Sequence, residues 1–276
     1  MDIAYIGSGN RVNACYKLFE TKGGFTPTGF YSNPMSGCHE IATKYNSTIF
    51  MSIDDLCAKS EVIVIATDDS ILPAVIQKLG RLHITNKIII SISNSVFAHD
   101  LETGYDNTYI VLNSSAPFET MTDNELQEAA LVCEGYGDKY EMFYDILEYG
   151  NVNISRMTPA QLRLYRAGIH LLQNGILATI LAANKICNSA AEKRQNLTVA
   201  VKHAIKNAVH GAAAISEPYK TGKPGQVKEL IDTFENNGID SITQLYGAVA
   251  KIITESSTIE NDVADDIYRA IRKINY

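Results

Sequence analysis

Short apolar runs alternate with helix-like stretches through the first half of the chain. Continuous aliphatic runs, of which Val62–Ala66 is the strongest, predict strands that are buried on both faces. Alternation of such strands with helices is typical of parallel crossover connections. The pattern therefore predicts an α/β, doubly wound (Rossmann) parallel sheet, with strands near residues 3–6, 29–31, 48–50, 62–66, 87–91 and 109–112, and with 130–133 and 152–154 extending it.

From Thr158 the pattern changes to helices only. Thr158 can cap a helix that has Pro159 at its first position, and apolar residues then recur almost all round that helix as far as residue 186. A long helix with so few polar faces is expected to pack against the first domain or against a second subunit. We therefore predict two domains: 1–156, the α/β domain, and 157–276, an all-helical domain with further helices near 197–214, 226–234, 242–254 and 259–274.

Composition narrows the class of protein. With 276 residues and 46% hydrophobic residues, the chain can bury a core for each of two domains. Its net charge of −7, with no long cluster of basic residues, argues against nucleic acid as a partner. No apolar run reaches the roughly 18 residues of a membrane span, and the N-terminus has no secretory leader, so we expect a cytoplasmic protein without a membrane partner. Five scattered cysteines without C-x-x-C spacing indicate reduced thiols, and no metal site is expected.

A glycine turn follows the first strand at once. Gly7, Ser8 and Gly9 join that strand to a helix that begins with Asn10 and Arg11. At such a turn, glycines allow backbone N–H groups to approach a pyrophosphate, which then lies at the positive end of the helix. Val12 replaces the third glycine of the usual pattern, and a lone G-x-G can also be a simple turn. Its position after the first strand favours a dinucleotide-binding site.

The end of the second strand predicts which coenzyme is preferred. Proteins that bind NAD usually carry a carboxylate there for the ribose diol, whereas this chain has Ser32 and Asn33 and no acid until Glu40. The absence of a carboxylate favours NADP(H) over NAD(H), with Ser32, Asn33 and Arg11 as ligands of the coenzyme. The alternative is that Ser32-Asn33-Pro34 is only a turn.

Polar residues also follow the later strands of the predicted sheet. Because the carboxyl ends of parallel strands face the ligand crevice, Ala66, Thr67, Ser91 and Asn113 are predicted to contact the coenzyme as well. These residues could equally belong to ordinary loops.

Several stretches together resemble a known superfamily. They are Ile6 to Asn10, Tyr31 to Asn33, Ile65 to Ile71, Leu164 to Asn174 and Gly222 to Gln226. Their order is similar to that of the pyrroline-carboxylate reductases and of related Rossmann-like proteins with a helical C-terminal domain. It is more distantly similar to the β-hydroxyacid and 6-phosphogluconate dehydrogenases. The chain departs from the reductases because it lacks their Ser-Gly-Ser-Gly-Pro helix start, which argues against pyrroline carboxylate as substrate.

The resemblance also suggests where the chemistry occurs. In the hydroxyacid dehydrogenase group a Lys and an Asn, four residues apart on the long helix, hold the substrate oxygen and transfer its proton. Here His170 stands in the place of that Lys and Asn174 in the place of the Asn, on one helix face. A histidine can supply a proton near neutral pH, so both residues are predicted to be catalytic. The alternative is a hydrogen-bonded structural histidine. Neighbouring polar residues are predicted to bind substrate: Tyr165, Arg166 and Gln173.

A second group of predicted substrate ligands lies in the proline- and glycine-rich loop 217–225. In similar proteins this segment approaches the substrate pocket, often from the partner subunit, so Tyr219, Lys220 and Lys223 are assigned to substrate binding. Such loops are also ordinary connectors. The sequence as a whole predicts a homodimeric, NADP(H)-preferring oxidoreductase that transfers hydride to or from a small carbonyl or imine substrate. The alternative is a non-catalytic NAD(P)-binding sensor or scaffold protein.

Overall fold

A computed structural model describes residues 1–21, 24–190, 196–208, 219, 224–256, 259–272 and 274. It contains two compact units, Met1–Ile169 and His170–Tyr276, and each unit is described by itself. These units are defined by contacts within the structure. The domain boundary after residue 156, which the sequence suggests, stays a prediction.

The first unit is built on a seven-stranded sheet. Its strands, in the spatial order β2-β1-β3-β4-β5-β6-β7, have these bounds: β1 Asp2–Gly7, β2 Thr26–Tyr31, β3 Val62–Ala66, β4 Ile88–Ile92, β5 Thr108–Ser114, β6 Leu131–Tyr136 and β7 Ile154–Arg156. Strands β1 to β5 pair in parallel, which confirms the predicted doubly wound sheet. Residues 48–50, predicted to form a strand, contribute an isolated bridge from Ile49 to Phe30.

Helices cover both faces of this sheet. They are α1 Gly9–Thr21, α2 Ser36–Lys44, α3 Ile53–Lys59, α4 Leu72–Arg81, α5 Asp123–Glu128 and α6 Tyr140–Tyr149. The residues of β3, β4 and β5 are all buried, because their aliphatic side chains meet a helical layer on each side. In register, Gly7 at the end of β1 lies opposite Ala66 at the end of β3. The carboxyl ends of these strands therefore form one edge, on which the candidate site lies.

One strand pair departs from the parallel arrangement. β6 runs antiparallel to β5, with Leu131 opposite Ser114. An antiparallel partner needs no crossover, so residues 115–130 leave and re-enter the sheet at the same edge. They form a short 3₁₀ helix, Phe118–Thr120, and α5, and both of these elements contact α1. This connection brings Glu119 to the edge where β1 and β3 end.

The second unit contains only helices within the residues that the structure describes there. They are the later part of α7 Pro159–Ala190, then α8 Thr198–Ala208, α9 Pro224–Asn236, α10 Asp240–Ser256 and α11 Asn261–Ile271. α9, α10 and α11 pack round a buried cluster that includes Val227, Ala250 and Ile267. None of the described helices combines the length and the apolar character that crossing a lipid bilayer requires.

The long helix α7 begins as predicted and then exposes apolar side chains. Thr158 and Gln161 form a reciprocal cap at its start, with Gln161 N donating to Thr158 Oγ1 and Thr158 N donating to Gln161 Oε1. Among residues 159–190, all of which are described, Leu162 is the buried one. The side chains of Leu171, Leu177 and Leu181 are 69%, 53% and 60% exposed. These apolar side chains of α7 are therefore exposed in the part of the chain that the structure describes.

Candidate functional site

A cleft of about 280 Å³ opens at the carboxyl edge, where β1, β2 and β3 end. One side of it is the glycine turn, and the other is a face of α4. Seven of the predicted coenzyme ligands line it: Gly7, Ser8, Arg11, Ser32, Asn33, Ala66 and Thr67. The other lining residues are Ile6, Tyr31, Ile53, Asp68, Ile71, Ala74, Val75 and Lys78.

The glycine turn has the conformation that an anion site requires. Gly7 and Gly9 have φ values of +136° and +74°, which side chains other than glycine rarely tolerate. A Cβ atom on Gly7 would lie 2.6 Å from the carbonyl oxygen of Ala66, so the turn can approach β3 only because the side chain is absent. α1 begins at Gly9 and has no acidic residue in its first turn. Its first N–H groups, which have no partner within the helix, therefore offer positive charge to an anion.

The end of β2 is pressed against this turn. The Ser32 side chain is buried, and its Oγ donates a hydrogen bond of 2.8 Å to the carbonyl oxygen of Pro34. A Cβ atom on Gly37 would lie 3.1 Å from both the Ser8 and the Ser32 hydroxyl oxygens, so these segments are in close contact. Asn33 is exposed at the mouth of the cleft. A polar, uncharged rim therefore stands where an NAD-binding protein usually carries a carboxylate.

Arg11 crosses the carboxyl edge and is held on both sides. Its Nη1 donates to the Thr67 carbonyl oxygen at 2.6 Å, while its Nη2 and Nε donate to the two Glu119 carboxylate oxygens at 3.1 and 3.4 Å. Asp69 lies 3.9 Å away. Burial raises the pKa of Glu119, but hydrogen bonds from Arg11 and a backbone N–H outweigh it, so that pKa is lowered overall. The Arg11 charge thus neutralises an acidic surface beside the anion site.

Two buried polar atoms at the same edge have no partner among the described residues. They are the Thr67 hydroxyl oxygen at the end of β3 and the Asn113 amide nitrogen in β5. Asn113 is 1% exposed, and its amide oxygen accepts a hydrogen bond of 2.9 Å from Arg166 Nε, which leaves the amide nitrogen as the open donor. A buried group without a partner costs free energy unless a ligand or water satisfies it. Both atoms are therefore suited to contact a polar ligand.

Arg166 also fixes the loop after β4. Its Nη2 donates to the carbonyl oxygens of Val96 and Ser93 at 2.6 and 3.1 Å, and its guanidinium carbon lies 4.7 Å from the centre of the Phe97 ring. Burial lowers the pKa of Arg166, although the acidic residues nearby oppose this shift. These contacts make Arg166 a positioning residue for Asn113 and for the loop. The prediction that it binds substrate stays a prediction.

The first third of the chain, which includes this cleft, matches a known family model. The model is described as "NADP oxidoreductase coenzyme F420-dependent" and covers residues 2–95. Residues 2–95 are therefore similar to that family. The match confirms the resemblance predicted from the sequence and, for the part that it covers, the prediction of an NAD(P)-dependent oxidoreductase. A comparison with curated proteins gave no match.

Solved structures similar to the whole chain share its fold. A Thermotoga maritima protein has 14% identity and a TM-score of 0.73, covering 97% of this chain and 100% of its own. A reductive aminase from Aspergillus terreus, in complex with NADPH, has 16% identity and a TM-score of 0.60, covering 99% and 94%. A Plasmodium falciparum pyrroline carboxylate reductase with NADP bound has 13% identity and a TM-score of 0.55, covering 99% and 96%. At these identities the structural similarity establishes the fold of the whole chain. The family model covers residues 2–95 of that fold.

The remaining predicted coenzyme ligands, Gly9, Asn10, Ser91 and Asn113, do not line this cleft. Gly9 and Asn10 form the first turn of α1, and Ser91 is buried in β4. Ser93, in the loop after β4, is hydrogen-bonded to Ser95, whose hydroxyl in turn donates to Asp69. The structure therefore gathers the predicted ligands at the ends of β1, β2 and β3 in the cleft, whereas Ser91 and Asn113 are buried in β4 and β5, where Asn113 is bonded to Arg166.

The predicted catalytic and substrate residues belong to α7 and the second unit. His170 and Asn174 are exposed on α7, and the Asn174 amide nitrogen donates to the His170 carbonyl oxygen at 3.0 Å. Gln173 is exposed, and Tyr165 is partly buried, which raises the pKa of its hydroxyl. Tyr219 is buried in the helical core, where its hydroxyl donates to that of Tyr246 at 3.2 Å. Lys220 and Lys223 lie outside the described residues.

Lys78 and Tyr31 are among the lining residues that the sequence did not point to as ligands. Lys78 and Tyr31 are in van der Waals range of each other, with the lysine Nζ 5.4 Å from the centre of the tyrosine ring. Tyr31 could have been selected from the sequence, because it is the last residue of a strand that ends at the carboxyl edge of the sheet. Lys78 gives no such signal, because an exposed lysine in a helix normally has no function beyond solubility.

Proposed function

We propose that this chain is an NADP(H)-preferring oxidoreductase that transfers hydride to or from a small carbonyl or imine substrate. The observation that carries the proposal is the cleft itself. It joins an acid-free helix N-terminus for a pyrophosphate to a β2 end that presents Ser32 and Asn33. The match of residues 2–95 to NADP oxidoreductases supports the same assignment.

The preference for NADP(H) rests on the charges around the cleft. Ser32 and Asn33 are neutral and do not repel a ribose phosphate as a carboxylate would, and the exposed Asn33 amide can donate to it. One carboxylate, Asp68, does line the cleft, but it lies in the turn after β3 rather than at the end of β2. The coenzyme's pyrophosphate would be held by backbone N–H groups near Ser8 and Gly9.

The residues at the far side of the edge suit the nicotinamide end. A bound nicotinamide supplies or accepts the hydride. Thr67 and Asn113 each have a buried polar atom that is unpartnered in the described structure, and the Asn113 amide nitrogen suits a carboxamide oxygen. Arg166 keeps that nitrogen free by occupying the amide oxygen of Asn113.

His170 and Asn174 are the proposed catalytic pair. Hydride transfer to a C=O or C=N carbon leaves negative charge on the heteroatom, which then needs a proton or a hydrogen-bond donor. The exposed His170 imidazole can donate that proton, and Asn174 lies one helical turn away on the same face. Tyr165, Arg166, Gln173, Tyr219, Lys220 and Lys223 remain the proposed contacts to a small substrate.

We also propose that the protein is a homodimer and acts in the cytoplasm. The open apolar face of α7 supports the dimer, because Leu171, Leu177 and Leu181 are exposed on a helix that the sequence pattern predicts to be buried. A second copy of the chain would supply a matching face by symmetry.

Direct binding measurements test the coenzyme first. Isothermal calorimetry with NADPH and with NADH is expected to show NADPH binding about tenfold or more tightly, which corresponds to roughly 1.4 kcal/mol. Because the chain contains no tryptophan, the fluorescence of the reduced coenzymes can confirm the result without interference. Failure of both coenzymes to bind at millimolar concentration would refute the proposal, and tighter binding of NADH would refute the preference.

Turnover tests the chemistry. NADPH oxidation is followed with a panel of cyclic imines and keto acids, and with a deazaflavin acceptor, because the matching family is described as F420-dependent. His170→Ala is expected to lower kcat by about 10²- to 10⁴-fold while coenzyme affinity stays unchanged. His203→Ala is the matched control, because His203 is an exposed histidine on α8. Coenzyme binding without turnover of any acceptor would favour the sensor or scaffold alternative.

A further inference from the structure

One face of α4 forms a side wall of the cleft and ends in a cation. Ile71, just before the helix, and Ala74, Val75 and Lys78 within it all line the cleft. Their spacing of three, four and seven residues places them in one row along the helix. The wall is therefore apolar along most of its length and carries a positive charge at the end where Tyr31, Ser32 and Asn33 lie.

Contacts with Tyr31 hold the Lys78 ammonium at this position. Its Nζ lies 5.4 Å from the centre of the Tyr31 ring and 3.5 Å from the tyrosine hydroxyl oxygen. The hydroxyl oxygen and the nearby ring both attract a cation, which favours this position of the Lys78 side chain. Tyr31 is the last residue of β2, so the ammonium is tied to the strand end that precedes Ser32 and Asn33.

Among the described residues that line the cleft, Lys78 is the cation whose charge is not already paired with a carboxylate. Of the two cationic side chains in the described lining, Arg11 is already bonded to Glu119 and to the Thr67 carbonyl oxygen. Lys78 has three N–H donors and makes a single long contact, to Tyr31. An ammonium with unused donors beside a neutral polar turn is suited to bind a phosphate. Its charge would add less to the binding of an uncharged ribose hydroxyl.

We propose that Lys78 recognises the ribose 2′-phosphate that distinguishes NADP(H) from NAD(H), with Tyr31 as the platform that positions it. This inference rests on the proposed function and adds a specificity-determining residue from α4 to the ligands at the end of β2. Asn33 supplies a neutral hydrogen bond beside the uncharged Ser32, and Lys78 supplies the charge. The preference for NADP(H) is then shared between two elements that are far apart in sequence.

The test uses two probes that differ only in the 2′-phosphate: adenosine 2′,5′-bisphosphate and adenosine 5′-monophosphate. Calorimetry on the full-length protein is expected to show that Lys78→Met weakens binding of the bisphosphate about fivefold, as for one partly solvated charge pair. Binding of the monophosphate is expected to change less than twofold. Lys78→Arg keeps the charge and should retain most of the affinity for the bisphosphate. Added salt should reduce the difference between wild type and Lys78→Met, because it screens the exposed charge.

Lys59→Met is the matched control. Lys59 is an exposed lysine on α3 whose Nζ lies 5.8 Å from the Phe50 ring, but it does not line the cleft. It should leave the affinity for both probes unchanged. Equal affinities of wild type and Lys78→Met for the bisphosphate would overturn the inference and leave the proposed function standing if NADPH still binds. Loss of affinity for both probes in Lys78→Met would also overturn it, because the role would then be structural. A wild-type protein that binds neither NADPH nor NADH would overturn both proposals.

Discussion

Replacing Arg166 by methionine should destabilise the first unit far more than the same change at Arg163. The two arginines lie on the same face of α7, and both guanidinium groups contact the Phe97 ring, at 4.7 and 4.8 Å. They differ in their hydrogen bonds. Arg166 donates to Asn113 Oδ1 and to the carbonyl oxygens of Ser93 and Val96, whereas Arg163 is exposed. The pair therefore separates the hydrogen bonds from the ring contact.

The expected magnitude follows from those three bonds. Hydrogen bonds from a charged donor contribute roughly 1.5 to 3 kcal/mol each, but the cost of burying the guanidinium offsets part of the sum. We expect a net loss of about 3 kcal/mol for Arg166→Met. An exposed cation–π contact contributes about 0.5 to 1 kcal/mol, so Arg163→Met should cost no more than about 1 kcal/mol. For a unit of this size, 1 kcal/mol lowers Tm by roughly 2 to 4 °C.

The assay is thermal and urea unfolding followed by circular dichroism. Arg166→Met should lower Tm by about 6 to 12 °C and Arg163→Met by less than about 4 °C. The native spectra of both variants should match the wild type. The reasoning is refuted if the two substitutions cost the same, or if Arg166→Met costs less than about 1 kcal/mol, because the three bonds would then contribute nothing measurable.

Two further predictions concern the acidic edge and the long helix. Because the pKa of Glu119 is lowered from 4.5 in the folded state, its contribution to stability is fully present above that value and is lost as pH falls through the lowered folded pKa. Urea unfolding from pH 6 to pH 3 should therefore show a smaller loss of stability for Glu119→Gln than for wild type, and parallel profiles would contradict the Arg11 contact. Leu171→Glu, on the open face of α7, should convert the proposed dimer to a monomer in light scattering, whereas Met142→Glu, a partly exposed apolar position on α6, should not. A monomeric wild type would refute the dimer.

The sheet was predictable because its strands carry a local signal. Val62–Ala66 matches the observed strand at both ends, since a run of branched aliphatic residues can be buried on both faces only in the middle of a parallel sheet. The direction of β6 was not predictable in the same way. Nothing in Leu131–Tyr136 distinguishes a parallel from an antiparallel neighbour, because that choice depends on the route of residues 115–130.

The candidate site also combines residues that a local sequence signal predicts with residues that have no such signal. Gly7, Ser8 and Ser32, which line the cleft, could be selected from the sequence because a turn is specified by residues that are adjacent in the chain. Lys78 was missed because its relevance depends on Tyr31, which is 47 residues away in the sequence. Arg166 was singled out by resemblance, but its bonds to Asn113 and to the loop after β4 join residues that are 53 to 73 positions apart. Pairings over such distances leave no trace in the spacing of residues along one element.

Because β6 runs antiparallel to β5, the connection between these two strands can change in length without disturbing the sheet. Residues 115–130 start and finish at the ligand edge, so insertions or deletions there alter neither the strand order nor any crossover. Glu119 shows that a side chain from this stretch already reaches the cleft through its contact with Arg11. A chain with this sheet can therefore change the side chains that border the cleft by varying one surface connection while its strands keep their order.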